Sequence, residues 1–330
     1  MRRNRLGNSA VEVTELSFGA AAIGNLFAAV APDRAAAAVD AAWDEGVRYF
    51  DTAPHYGLGL SERRLGEALR GRPRDAYVLS TKVGRVLDPL PSGSPTPADP
   101  SGGLSEGFAV PATHRRRWDF SAEGVRRSIG DSLERLGLDR VDIAYLHDPD
   151  DHAEAAFGEA YPELERLRAQ GVVGAIGAGM NQTALLTRFL RDTDVDVVLC
   201  AGRHTLLDQS ALTELLPEAA ARGRGVVIGG VFNSGLLADP RPGATYDYAA
   251  APLTLLDRAL RIKAVTEGHG VPLRAAALHY PLAHPAVAGV LVGARSPDEV
   301  RDAAALLRRP IPDDLWAELR AEGLLTEDGH

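Results

Sequence analysis

The stretch VRYFDTAPHY, residues 47–56, ends an apolar run on a carboxylate, Asp51, and places a tyrosine, Tyr56, five residues later. Two further runs end on polar groups in the same way. YVLSTKV, residues 77–83, carries Lys82 near its end, and VDIAYLHD, residues 141–148, carries His147 near its end. β-Branched, aromatic and other apolar residues dominate all three, as expected of strands buried in a parallel sheet. If the three strands are parallel neighbours, Asp51, Tyr56, Lys82 and His147 meet at one end of the sheet.

Outward from these runs, apolar β-rich segments alternate with amphipathic helical windows, the pattern of a parallel sheet with crossover helices. Strands are expected over residues 16–20, 48–53, 77–83, 141–148, 172–180, 195–203, 225–231 and 287–294. Helical windows begin near Asp33, Ser61, Ser121, Glu154, Gln182, Ser210, Leu253 and Pro297. Eight such pairs predict an α/β fold, the (β/α)8 TIM barrel, which gathers its chemistry at the C-terminal ends of the strands. An open doubly wound sheet fits less well, because SFGAAAIGNL after the first strand lacks the G-x-G-x-x-G spacing. Ahead of that strand, RRNRLGNSAVEVTEL alternates around Gly7-Asn8 and reads as a β-hairpin able to plug the N-terminal mouth of the barrel. Two long loops follow strands on the catalytic side, over residues 87–118 and 238–252. Loops of such length in a compact fold are usually functional or disordered.

A barrel of this kind fills about 250 residues or more, so a single domain over residues 1–330 is expected. The net charge of −9 argues against a nucleic-acid partner, which needs a basic face. Cys200 is the only cysteine, so no internal disulfide can form, and its setting in VVLCA makes it a small core residue. There is no run of about 18 apolar residues and no apolar segment behind the basic N-terminus. A cytoplasmic protein without a membrane partner is expected, with its oligomeric state open.

The four polar groups suit one chemistry. A phenol alone is a poor acid or base at neutral pH, its ordinary pKa being about 10. A neighbouring ammonium stabilises the phenolate, and a carboxylate paired with the ammonium holds it in place. Tyr56 then becomes a proton shuttle for an alcohol or carbonyl oxygen, with His147 donating a hydrogen bond to that oxygen. Hydride has to come from a cofactor, since no side chain carries it. Taken singly, Asp51 also reads as a helix cap or ion-pair partner, Tyr56 as a loop aromatic, Lys82 as a surface charge and His147 as a satisfied polar residue.

FDTAPHYG, LGEALRG, STKVGR, DSLERLGLDRVDI with LHD, and GARSPDEV together resemble the aldo-keto reductase family, over nearly the whole chain. The resemblance implies Tyr56 as general acid/base, Lys82 as its pKa-lowering partner, Asp51 as the anchor of Lys82 and His147 as the orienter of the substrate oxygen. It also implies a nicotinamide cofactor across the barrel mouth, contacted by Gly19, Ala20, Asp51, Gly179, Asn181, Gly230, Phe232, Ser234, Gly235, Gly293, Arg295 and Glu299, and no metal. IGAGMNQ, LCAGRHTLLDQ, GGVFNSGLL and LHDPDDH most resemble the branch of D-threo-aldose 1-dehydrogenases, L-fucose dehydrogenases and pyridoxal 4-dehydrogenases. The implied reaction is oxidation of an aldose or related alcohol. A carbonyl reductase working with NADPH, and a cofactor-binding sensor or structural subunit, remain as alternatives.

This chain departs from the family pattern at the nicotinamide. Gly179-Met180 stands where many members carry Ser-Asn, with Asn181 one place later; Ala201 replaces a glutamine and Gly229 a stacking tyrosine. Glu299 lies where NADP-preferring members often carry an arginine, which favours NAD, whereas Arg295 offers a guanidinium to a 2′-phosphate and favours NADP. His55, Trp118 and Asp148 are candidate substrate contacts. The run HDPDDH, residues 147–152, contains metal-ligand types, but Pro149 and the loop setting scatter them, and Asp150 and Asp151 suit the start of the next helix.

Overall fold

The structure, a computed structural model, describes residues 1–91, 106–247 and 249–326. At the N-terminus β1 (Arg3–Arg5) and β2 (Glu12–Thr14) pair antiparallel as the expected hairpin. There follow β3 (Leu16–Gly19), α1 (Pro32–Asp44), β4 (Tyr49–Asp51), α2 (Leu60–Leu69), β5 (Val78–Val83), β6 (Arg85–Pro89), β7 (His114–Trp118) and α3 (Ala122–Leu136). The chain continues through β8 (Val141–His147), the short α4 (Ala153–Ala155), α5 (Tyr161–Ala169), β9 (Val173–Met180), α6 (Thr183–Asp192), β10 (Val197–Ala201), α7 (Leu215–Ala221) and β11 (Gly225–Gly229). It ends with β12 (Thr245–Tyr246), β13 (Ala249–Ala250), α8 (Leu253–Gly268), α9 (Leu273–Leu282), β14 (Val287–Gly293), α10 (Pro297–Leu307) and α11 (Asp313–Ala321).

Strands β3, β4, β5, β8, β9, β10, β11 and β14 close an eight-stranded parallel barrel in that order. The two-residue period of a strand sorts its side chains between two layers. In β8, Ile143 and Tyr145 join the cluster inside the barrel, while Ala144 and Leu146 join the larger cluster under the helices. His147 is next in the inward series and so arrives at the barrel mouth. The same parity makes Tyr49 an inward residue and Phe50 an outward one, which turns Asp51 inward beside it. Leu6 and Val13 of the N-terminal hairpin sit in the inner cluster, and Asn4 Nδ2 donates to the Ala288 carbonyl at 2.8 Å, so the hairpin stoppers the opposite end.

Local signals set several boundaries. Ser121 caps α3 by accepting from the Gly124 amide, and Gly137 ends the helix at φ 66°, a conformation glycine adopts without a Cβ penalty. Proline opens α1 and α10, where its missing amide costs nothing.

Three expectations need correction. The window beginning at Leu253 does not supply the crossover helix after the seventh barrel strand. That helix is α9, which covers β14, whereas α8 packs on α9 and α11 in a separate apolar cluster containing Ile262, Tyr280 and Trp316. Segment 273–282, LRAAALHYPL, is apolar on most sides, so it lacks the one-faced pattern that marks a surface helix. The stems of the expected loop 87–118 are strands, with β6 and β7 pairing antiparallel from Arg85 opposite Trp118 to Pro89 opposite His114. Its residues 92–105 lie outside the described residues. Within the segment 238–252, β12 and β13 form a two-residue pair. No helix among the described residues is long and apolar enough to cross a membrane.

Two glycines of β9 separate packing from pocket shape. A Cβ on Gly177 would lie 1.8 Å from the Val197 carbonyl oxygen of β10, whereas one on Gly179 would come no nearer than 3.4 Å, to Leu199 Cβ. Gly177→Ala is therefore expected to cost about 2 kcal/mol or more in urea unfolding, as overpacking does, with Gly179→Ala close to wild type; equal stability of the two variants would contradict the packing described.

Candidate active site

Asp51 ends β4, Lys82 stands one residue before the end of β5, and His147 ends β8. Tyr56 lies in the turn after β4, and a run of tight backbone hydrogen bonds returns it to the barrel mouth, its amide bonding the Ala53 carbonyl at 3.1 Å. Lys82 Nζ donates to Asp51 Oδ2 at 2.6 Å, to the Thr52 carbonyl at 3.0 Å and to Tyr56 Oη at 3.1 Å. Three ammonium donors thus meet three acceptors. Burial opposes the charge on Lys82, but Asp51 and the Tyr56 oxygen outweigh it and raise its pKa above the ordinary lysine value. By reciprocity the ammonium favours the ionised form of Tyr56.

Asp51 is itself held from below. Ser80 Oγ donates to Asp51 Oδ1 at 2.6 Å, Tyr49 Oη lies 3.0 Å from Ser80 Oγ, and Tyr145 Oη lies 3.1 Å from Tyr49 Oη. Because Ser80 spends its single proton on the carboxylate, Tyr49 must donate to Ser80 and Tyr145 to Tyr49. Burial pushes the pKa of both phenols upward, which keeps them protonated donors. This directed chain was not expected from the sequence. Its only signal was the inward parity of Tyr49, Ser80 and Tyr145.

His147 is buried, and its ring lies at 89° to that of Tyr56 with centroids 5.8 Å apart. Burial, then the charges of Arg85 and Lys82, hold its pKa well below the ordinary histidine value. The neutral ring carries one proton, and Asp148 Oδ2 at 3.6 Å from Nε2 favours placing it there. His55, lowered to about 2 by burial and then by Arg85, Arg116 and Lys82, is also neutral.

Two adjoining cavities meet at Tyr56. One, about 570 Å³, is lined by His55, Tyr56, Lys82, His147, Asp148 and Gly179, together with Arg85 and Phe108. The other is a groove of about 270 Å³ running past Gly19, Asp51 and Gly293 to Gly230, Phe232, Ser234 and Gly235. Asn181 borders both, its Nδ2 donating to the Ala201 carbonyl at 3.0 Å. The groove fits a dinucleotide in chemistry as well as in form. Gly229, Gly230 and Gly235 keep its wall low, and Asn233 Oδ1, buried in that wall, lacks a hydrogen-bond partner among the described residues. Phe232 at φ −97° and ψ 6° is followed by Asn233 at φ 45°, a right-handed to left-handed succession of the kind that forms anion-binding concavities.

Some expected contacts lie elsewhere. Ala20 is fully buried and does not border either cavity; its neighbour Ala21 borders both. Arg295 and Glu299 border neither. The Glu299 carboxylate accepts from the Arg295 amide at 2.8 Å while the Glu299 amide donates to Ser296 Oγ at 3.3 Å, a cap on α10, and Arg295 Nη2 donates to the Leu26 carbonyl at 3.3 Å. Trp118 does not line the cavity either; it supports Arg85, whose guanidinium lies 4.2 Å from the centre of its ring. Arg85, Phe27, Phe108 and Asn233 border the cavities without having been picked out in the sequence. Among the described residues no group of three or more His, Cys, Asp or Glu converges as a metal site, and His152 packs against Trp118 and Phe120.

Residues 15–322 match the Aldo/keto reductase family. The chain belongs to that family. It is 48% identical to a D-threo-aldose 1-dehydrogenase of a Pseudomonas species, over 95% of both chains. It is 40% identical to a pyridoxal 4-dehydrogenase of Microbacterium luteolum, over 98% of both. An aldo-keto reductase from Bacillus halodurans in its holo form superposes with a TM-score of 0.76 at 26% identity, over 100% of both chains. This aldo-keto reductase is therefore an oxidoreductase, in a family that uses NAD(P)(H).

The buried histidines make a stability prediction. His55, His147 and His204 all have lowered pKa values, so the folded protein keeps them neutral where the unfolded chain, titrating near about 6.5, takes up protons. Their contribution is complete above pH of about 6.5 and is lost as pH falls toward the folded values, about 2 for His55 and about 3 for His204, at up to about 1.4 kcal/mol per pH unit for each histidine. Urea unfolding should give lower stability at pH of about 5 than at about 7; unchanged or higher stability at the acid end would contradict these assignments.

Proposed function

We propose that this aldo-keto reductase oxidises the hemiacetal carbon of an aldose, or a comparable hydroxyl, to a lactone or carbonyl product. The observation that carries the reading is the 3.1 Å hydrogen bond from Lys82 Nζ to Tyr56 Oη, with Lys82 fixed by Asp51 at 2.6 Å. When bound, the nicotinamide cofactor supplies the hydride acceptor. Tyr56, ionised with the help of Lys82, takes the hydroxyl proton at Oη. His147 donates Nε2–H to the same oxygen and steers it toward Tyr56. Asp51 acts through Lys82, and its own hydroxyl support keeps it from turning away. His55, with Phe108 packed edge-on at 5.2 Å, walls the substrate side. The names of the two relatives, both dehydrogenases acting on substrates able to form hemiacetals, support the oxidative direction.

In this reading Gly19, Asn181, Phe232, Ser234 and Gly293 hold the cofactor along the groove, and NAD is preferred to NADP. Asp298 and Glu299 set two carboxylates in the first turn of α10, beyond the groove, a field unfavourable to the added charge of a 2′-phosphate, and Arg295 is engaged by the Leu26 carbonyl.

Two measurements test these statements. With NAD and a panel of L-fucose, D-arabinose, L-xylose and pyridoxal, wild type should form reduced cofactor, and Tyr56→Phe should lower kcat by about 10²- to 10⁴-fold, the usual worth of a positioned acid/base. Turnover untouched by the substitution would remove Tyr56 from the mechanism. In the second, kcat/KM with NAD should exceed that with NADP, and Glu299→Arg should narrow the ratio; a ratio that stays fixed would clear Glu299 of any part in cofactor choice.

A further inference from the structure

The substrate cavity contains a charged pair that the proposed proton transfer does not use. Arg85 Nη2 donates to Asp148 Oδ2, and both side chains border the cavity. The arginine is fixed on three sides. It opens β6 opposite Trp118, its guanidinium lies on the Trp118 ring, and its Nη1 is 3.3 Å from both ring nitrogens of His55. Asp148 is the first residue beyond β8 and adopts φ 45°, a left-handed conformation that costs a non-glycine residue about 1 kcal/mol or more. Such strain persists where the surroundings demand it, and here it accompanies a carboxylate turned into a reaction cavity.

The pair retains hydrogen-bonding capacity. Asp148 Oδ1 has no hydrogen-bond partner among the described residues, and the half-buried side chain keeps about a third of its surface open, 32%. Asp148 Oδ2 is also 3.6 Å from His147 Nε2, the atom that directs the reacting oxygen. A hydroxyl on the carbon next to the reacting one therefore comes within reach of the carboxylate, whereas a methylene there displaces water from that acceptor without replacing its hydrogen bond. Charge points to a neutral molecule. Arg85 is paired with Asp148 and Lys82 with Asp51, and Arg116 behind them lies 3.6 Å from Glu106, so among the described residues the lysine and arginine that line the cavity already have their carboxylates. An anionic sugar derivative would have to displace one of them.

We infer that Asp148, held by Arg85, recognises the hydroxyl adjacent to the reacting carbon, and that the enzyme selects uncharged 2-hydroxy aldoses over their 2-deoxy counterparts. The inference rests on the aldose reading proposed above. Neither residue is required to move a proton; both act on specificity.

The test compares kcat/KM for L-fucose and 2-deoxy-L-fucose, with NAD, in wild type, Asp148→Asn and Arg85→Lys. Asparagine tolerates the left-handed backbone, so Asp148→Asn removes charge with little added strain. Arg85→Lys keeps the charge but loses the planar fork. Wild type should favour L-fucose by about 100-fold or more, since a site built to bond a hydroxyl rejects the analogue lacking it. Each variant should reduce that ratio at least about tenfold, through KM for L-fucose, while titration of NADH fluorescence reports cofactor affinity within about twofold of wild type. Should Asp148→Asn fail to bind cofactor, Arg85→Lys decides by the same criterion. A wild type that oxidises both sugars equally, or a ratio unmoved by the variants, overturns the inference and leaves the aldose reading standing. A wild type that oxidises neither sugar defeats the aldose reading and the inference with it.

Discussion

The site depends on one buried ion pair, Lys82 with Asp51, closed by Tyr56. Removing two charges from water costs several kcal/mol per ion, and the mutual attraction repays this only when geometry and further hydrogen bonds are good. Here all three protons of the ammonium are used, and the second carboxylate oxygen is met by Ser80. The barrel supplies that precision because parallel strands in fixed register put Asp51 opposite Ser80 and Lys82 opposite Tyr145. A pair of this kind is poor evidence for stability. Its value in the proposed reaction lies in holding a cation 3.1 Å from the phenol oxygen of Tyr56.

The same cations shape the rest of the cavity. Burial first, then the charges of Arg85 and Lys82, oppose protonation of His147 and His55, so the imidazoles remain neutral beside a carboxylate rather than competing cations. Backbone strain collects at the same face. Phe27, Leu58, Asp148, Asn233 and Ser234 all take positive φ, and each lies in a loop that follows a barrel strand. The scaffold is regular where it carries load, and the loops hold the irregular geometry, as expected when function is grafted onto a rigid frame.

Much of this was legible in the sequence because barrel strands announce themselves by apolar content alternating with helical windows, and three of them, β4, β5 and β8, also by a polar residue at or near the C-terminal end. All eight strands and the hairpin at the opposite mouth follow from that pattern. What was hidden depends on pairing across long separations. Arg85 stands three residues after Lys82, but its role appears only once β6 folds back on β7 and sets it on Trp118. Arg295 and Glu299 have the residue types expected of cofactor contacts, yet local capping of α10 claims the carboxylate and the Leu26 carbonyl claims the guanidinium. The helix after the seventh barrel strand was misplaced because an all-round apolar segment carries no directional pattern, so the more obvious window at Leu253 took its place.

The ionisation of Tyr56 is the most direct measure of whether the ammonium does what this arrangement requires. An ultraviolet difference titration between wild type and Tyr56→Phe isolates that one phenolate from the other tyrosines. Ionisation clearly below the ordinary phenol value of about 10 is the expected result. Ionisation at or above that value would mean that Lys82 merely neutralises Asp51, and the proton-transfer account would have to be abandoned.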